Sequence, residues 1–259
     1  MTRRINVIGI GLGAAEHVTG QAIAAMNEVD VFLVPDKGES KSELLDARRQ
    51  LCSTLISHSR WELRTIIDPE RGPDAQRDAA QYREGVAAWH SARVAQYVAQ
   101  IAALPDDAVV GFLVWGDPAF YDSTIRMVDQ IAAQIDVDVR VIAGLSAIQV
   151  LAAEHRIPLN AVGEPVHITT GRRLAQEWTP EIGTVVVMLD GRLACRELVN
   201  RAPDSWIYWG ACVGMPQQRL IAGRLAEVIG EIERVRAEVR AELGWVMDVY
   251  AIAPAPLGR

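Results

Sequence analysis

Residues 114–127 read VWGDPAFYDSTIRM: an apolar run from Val109 to Trp115 stops at Gly116-Asp117-Pro118, and Phe120, Tyr121, Asp122, Ser123 and Thr124 follow. Loops that leave a core in this way are where binding and catalytic sites are usually built. A second such loop lies near the start. Gly9-Ile10-Gly11-Leu12-Gly13-Ala14 satisfies G-x-G-x-x-A, and Asp36 closes the next apolar run where the acid of a dinucleotide fold would hold a ribose. In that fold the helix begins inside the glycine loop, so that its first amides face a pyrophosphate. Here the best helix start is Thr19, ahead of Gly20–Glu28, which leaves the loop longer than the fingerprint requires. The competing reading is a tight strand exit that needs glycine dihedrals. Taken alone, Asp117 reads as the cap of a helix entered at Pro118, and Tyr121 as core packing with a satisfied hydroxyl.

Other chemistries are disfavoured by composition. The five histidines (His17, His58, His90, His155, His167) show no metal-ligand spacing among themselves. Cys52, Cys195 and Cys212 form no C-x-x-C pair, which fits a reducing cytoplasm better than a disulfide framework or a zinc ribbon. A net charge of −7 over 259 residues argues against general nucleic-acid affinity, so any anionic ligand must be met locally. No apolar stretch approaches the roughly 18–20 residues that span a membrane.

The elements that must position these loops are strand-like runs at 5–11, 29–35, 108–116, 137–144, 167–171, 184–191 and 205–214, with helical stretches between them. Several runs are apolar without alternation, as strands covered on both faces are. The expectation is therefore an α/β fold with parallel strands. Gly85–Leu104 and Leu220–Leu243 carry apolar residues at helical spacing and read as core-facing helices. RTIIDPERGPDAQRD reads as a surface loop, and HRIPLNAVGEP (155–165) as a domain boundary, giving domains 1–157 and 158–259. His155 falls on a helix before that boundary, while Trp206, Tyr208 and Trp209 read as sheet packing or a dimer contact.

Taken in order, VIGIGLG…HVT, VDVFLV, FLVWGDPAFYDS, VIAGLSAIQVLAAEHRIPLN, TVVVML and GACVGMPQQRLIAGRLAEV, with a terminal AIAPA, resemble the tetrapyrrole (corrin/porphyrin) methylases. The stretches DKGES, WGDPAFYDST and GEPVHITTGRRL are most similar to those members that methylate a ring-contracted corrin precursor and release its extruded acetyl group as acetate. One departure stands out: Leu12, Ala14 and Ala15 occupy the Pro, Asp and Pro positions of the family's usual glycine loop.

The resemblance implies two α/β domains with S-adenosylmethionine folded into the cleft between them, commonly in a homodimer. Its cofactor contacts would fall on Leu12, on Trp115, Gly116 and Asp117 with Phe120 and Tyr121, on Ser146 and Ala147, on Met188 or Leu189, on Ala211 or Cys212, and on Pro254 and Ala255. Most of these are small or apolar, which suits an adenine held by backbone hydrogen bonds and shape. Carbonyls near Gly116 would face the sulfonium, and Gly116→Val would abolish binding without unfolding the chain. Deacetylation needs a general base, for which Asp36, Tyr121, Asp122 and His167 are candidates. The substrate's carboxylates would be met by Lys37, Arg172 and Arg173, arginine being able to bind a carboxylate through two parallel hydrogen bonds. The other readings kept open are a nicotinamide dehydrogenase and a corrinoid-binding protein without catalysis.

Overall fold

A computed structural model describes residues 2–36, 42–67 and 79–258, the side chains of 36, 42–43 and 79–88 excepted. The chain divides into two compact units, Met1–Leu145 and Ser146–Arg259.

In the first unit β1 (Arg3–Gly9), β2 (Val31–Asp36), β3 (Glu62–Ile67), β4 (Val109–Val114) and β5 (Val137–Ile142) form one sheet in the order β3-β2-β4-β1-β5. Every pairing in it is parallel. Side chains alternate between the two faces, and both faces are covered. Ile5, Val7, Val110 and Phe112 pack with residues of α3 (Ala79–Ala102) and α4 (Thr124–Ala132). Ile8, Phe32 and Leu113 pack instead with α1 (Gly20–Met26) and α2 (Ser42–Leu55). Two-sided burial is why these strands read as unbroken apolar runs. Helix α1 starts where the sequence places it, with the Thr19 hydroxyl oxygen accepting from the Ala22 N–H at 3.1 Å.

Two segments differ from expectation. Residues 64–67, the start of the stretch read as a surface loop, belong to the edge strand β3; Ile67 is 80% exposed, so burial left little pattern to read. Helix α3 begins at Ala79, upstream of the expected Gly85. The rest of the supposed loop, residues 68–78, lies outside the described residues.

The second unit holds β6 (Val166–Thr170), β7 (Thr184–Met188), β8 (Trp206–Ala211), β9 (Arg219–Arg224) and β10 (Asp248–Ala253) in the order β6-β7-β10-β8-β9. Only β6 and β7 pair in parallel; β10 runs antiparallel to both its neighbours, and β8 to β9. The expectation of parallel strands thus holds for the first sheet and, in the second, for β6 and β7 alone. A seven-residue link, 212–218, joins β8 to β9. So short a connection permits only a hairpin, since a parallel return needs a crossover of a dozen residues or more.

Three helices complete this unit: α5 (Ala147–His155), α6 (Gly171–Glu177) and α7 (Leu225–Leu243). The start of the expected 220–243 helix is strand β9, whose Leu220 and Ile221 pair with Gly210 and Trp209. Helix α5 packs on β8, β9 and β10, so the division falls between Leu145 and Ser146 rather than after Ile157. The proline- and glycine-bearing stretch at 156–165 is a connection inside the second unit.

Candidate active site

Parallel pairing brings the carboxyl ends of β1, β4 and β5 to one edge of the first sheet, and each strand leaves that edge through a glycine. The three exits touch backbone to backbone. A β-carbon at Gly9 would stand 2.6 Å from the Gly144 nitrogen and 2.9 Å from the Gly116 carbonyl oxygen. Gly116 has φ +68° and exchanges hydrogen bonds with Gly11, itself at φ +66°: Gly116 N–H donates to the Gly11 carbonyl at 2.7 Å, and Gly11 N–H to that of Gly116 at 3.4 Å. What approaches these glycines closely is the neighbouring loop. The Gly116 carbonyl accordingly points at Gly9, Gly11 and Gly144. A valine at 116 would have to adopt a left-handed backbone, which for a β-branched residue is a strained conformation, so that substitution disturbs the fold as well as the site.

The same loops correct the reading of the acids. Asp117 does not cap a helix at Pro118. Its Oδ1 accepts from the Ala119 N–H and its Oδ2 from the Gly144 N–H, both at 2.8 Å, which ties the β4 exit to the β5 exit. Helix α4 starts only at Thr124, and Asp122 Oδ1 takes that N–H at 2.6 Å. Tyr121, between the two acids, is left-handed at φ 53° and 43% exposed, not core packing. Leu12 and Phe120 are half-buried beside these exits.

Asp36 ends β2 on the same edge, its side chain outside the described set, as is the whole of Lys37. One residue that the sequence did not single out belongs here. Arg48 of α2 holds its guanidinium carbon 4.9 Å from the centre of the Trp115 ring and donates to the Leu44 carbonyl at 3.1 Å. Burial pulls its pKa down to about 10, with the Asp122 carboxylate acting in the opposite sense. In the sequence it was one of two adjacent arginines, Arg48 and Arg49, with nothing to set it apart.

In the second unit the register puts Thr170 beside Met188 and Ala211 beside Asp248, so that the ends of β6, β7 and β8 share one edge. Two exits from that edge are left-handed at residues that are not glycine, Leu189 (φ 53°) and Cys212 (φ 49°). Such conformations cost of order 1–3 kcal/mol and persist only where surroundings impose them. Cys212 is held by its N–H, which donates to the Met247 carbonyl at 2.8 Å. Leu189 is 65% exposed.

The other expected residues of this unit lie at several places. Ala253 pairs with Trp206, at the start of β8, so Pro254 and Ala255 leave the sheet at its opposite end, five residues and about 16 Å away. His167 pairs with Val185 on the edge strand, three residues short of Met188, and lines a cavity of about 360 Å³ with Thr169, Glu177 and Ile182. Ser146 is buried as the cap of α5, its hydroxyl oxygen accepting from the Ile148 N–H at 3.2 Å and Ala147 following as the first helical residue. Arg173 is exposed and pairs with Glu177 at 2.5 Å one turn along α6; Arg172 precedes it on the same helix. Trp209 is fully buried, and its indole N–H donates to Asp248 at 3.1 Å, which makes it sheet packing. His155 ends α5 with Nε2 3.0 Å from the Trp209 carbonyl oxygen.

Residues 4–229 match the tetrapyrrole (corrin/porphyrin) methylases. A precorrin-6A synthase (deacetylating) of Sinorhizobium sp is 42% identical over 253 residues, which cover 96% of this chain and 95% of that one. The crystal structure of a cobalamin-synthesis-related protein, CobF, from Corynebacterium diphtheriae superposes with a TM-score of 0.84 at 35% identity, over 99% of this chain and 100% of that one. A uroporphyrin-III C-methyltransferase from Thermus thermophilus, crystallised with S-adenosylhomocysteine, shares the fold at 19% identity and a TM-score of 0.59, over 96% and 97% of the two chains. The chain belongs to the tetrapyrrole (corrin/porphyrin) methylases and is a methyltransferase of that family.

Proposed function

We propose that this enzyme methylates C1 of precorrin-5 and releases the extruded acetyl group as acetate, giving precorrin-6A in aerobic cobalamin synthesis. The observation that carries this is the 42% identity to a deacetylating precorrin-6A synthase over nearly the whole of both chains. The proposed methyl donor, S-adenosylmethionine, supplies an electrophilic methyl carbon on a sulfonium.

The residues fit such a donor. Leu12, Trp115, Phe120 and Tyr121 in the first unit, and Met188, Leu189, Ala211 and Cys212 in the second, offer apolar walls and backbone polar groups with few charges, as an adenosine requires. Their work is to orient the reacting atoms and keep water out. Asp117 acts one step back, by holding the β4 and β5 exits together. For the deacetylation we assign the base to Asp122. It stands next to Tyr121 in the exposed loop before α4, with Oδ1 committed to the Thr124 N–H, and would take the proton of the attacking water. A cytoplasmic homodimer is the proposed setting, in keeping with three cysteines that are buried and unpaired.

Calorimetry with S-adenosylhomocysteine tests the class and mass spectrometry of the product tests the position. The expected result is heat on binding, and a product that has gained methyl and lost the acetyl fragment. Methyl gain with the acetyl retained would remove the deacetylating assignment. A change in NADH fluorescence without heat from S-adenosylhomocysteine would favour the dehydrogenase, and tight corrinoid binding with no transfer in a single turnover the binding protein.

A further inference from the structure

Leu189 poses a physical problem. A leucine with a left-handed backbone and a mostly exposed side chain would normally relax, yet the turn beneath it is among the most heavily bonded in the second unit. Asp190 is 5% exposed. Its Oδ1 accepts from the Arg192 N–H at 3.0 Å, and its Oδ2 accepts from the Ala194 N–H at 2.6 Å and from the Tyr250 hydroxyl at 2.5 Å. Arg236 of α7 donates through Nη2 to the Asp190 carbonyl at 2.8 Å and through Nε to Asp248 at 2.8 Å. A carboxylate with this set of donors is locked in place, and with it the left-handed residues on either side, Leu189 and Leu193.

The same carboxyl group also fixes the neighbouring segment. A β-carbon at Gly171, the first residue of α6, would stand 2.7 Å from the Asp190 β-carbon and closer still to its carboxyl. The glycine lets α6, with Arg172 and Arg173 on its first turn, sit directly on Asp190. One buried side chain therefore joins the exit of β7 to the start of α6.

We propose that Asp190 is a positioning residue for the methyl donor: it presents Leu189 in its left-handed conformation and sets the β7 exit at a fixed distance from the arginines of α6. This rests on the reading above that Met188 and Leu189 contact S-adenosylmethionine. Asp190→Asn removes the charge and replaces one acceptor with a donor that faces the N–H and O–H groups now bonded there.

The test is calorimetry with S-adenosylhomocysteine on the full chain at a temperature where circular dichroism shows the variant folded. If the competent turn falls to about a tenth of the population, affinity drops about tenfold; KM for the donor should rise likewise, with kcat within about twofold at saturation. Amide exchange in the 188–194 peptide should quicken in the free variant and slow again on binding. Tyr250→Phe, which deletes only one donor, provides the second variant should Asp190→Asn fail to fold, with an expected loss of about threefold. Unchanged affinity in a folded variant, with only a lower melting temperature, overturns the positioning role and leaves the cofactor reading standing. Absence of binding by the unaltered enzyme overturns the cofactor reading and this proposal with it.

Discussion

Gly144→Ala is expected to pry apart the carboxyl edge of the first unit. The new β-carbon would stand 2.8 Å from the Cα and the carbonyl carbon of Gly9, and closer still to the Gly116 carbonyl oxygen. All three are backbone atoms, with no side-chain torsion through which to yield. Ordinary separation between such carbons is about 3.5 Å, so the β1 exit must retreat by about 0.7 Å and the β4 exit by more. That movement strains the Gly116-to-Gly11 hydrogen bond at 2.7 Å and the bond from Gly144 N–H to Asp117 at 2.8 Å. Overpacking costs about 1–3 kcal/mol and each lost hydrogen bond about 1 kcal/mol. Together these amount to about 3–5 kcal/mol, concentrated in the first unit. Gly230→Ala is the matched control: it lies within α7 with nothing within 4 Å of the added carbon, and should stabilise by about 0.5–1 kcal/mol. Hydrogen exchange through a urea series measures each, read on peptides covering 5–13 and 109–118 for Gly144→Ala and on a peptide covering 225–243 for Gly230→Ala. A Gly144→Ala protein within about 0.5 kcal/mol of the original on those peptides would refute the claim that these glycines exist for backbone contact.

Two further outcomes are expected in the second unit. Arg236→Met strands Asp248 in the interior, where the pair now stands at 2.8 Å with side chains 11% and 4% exposed; breaking such a pair costs about 3–5 kcal/mol, and a urea midpoint close to that of the original would refute it. Burial holds the His155 imidazole below its ordinary value, against the Trp209 carbonyl bond and the Glu154 charge. The folded state therefore binds fewer protons than the unfolded one, so this contribution is intact above about 6.5 and is lost as pH falls from there through the lowered folded value. Melting temperature should drop more steeply between pH 7 and 5.5 in the original than in His155→Gln, and equal slopes would count against it.

How much of the fold was legible depended on burial. The central strands of the first sheet are covered on both faces by four helices, so β1, β2 and β4 announced themselves as apolar runs. Strand β3 sits at the edge and buries only Ile66, which left its residues looking like loop. Strand β9 passes into α7 without a turn residue between Arg224 and Leu225, so its Leu220 and Ile221 were absorbed into the helical pattern. Strand β10 is almost wholly buried but contains Ala251 and Ala253, and alanine carries little strand preference.

The site was legible where residue type restricts backbone and illegible where the fold overrides it. Gly9, Gly11 and Gly116 stood out because few other residues could take their place, although the object that comes so near them is protein rather than ligand. Leu189 and Cys212 were selected through family resemblance alone, and Tyr121 through its place in the loop after β4. Nothing in a tyrosine, a leucine or a cysteine foretells φ near +50°, which local sterics disfavour. Asp122 and Asp190 bond backbone beside Tyr121 and Leu189, while Cys212 is pinned by the Met247 carbonyl. The acid that matters at such an exit is therefore one that bonds the backbone beneath the exposed side chain. On that ground Asp122 and Asp190, more than the visible glycine loop, fix the backbone at the exits where Tyr121 and Leu189 stand exposed.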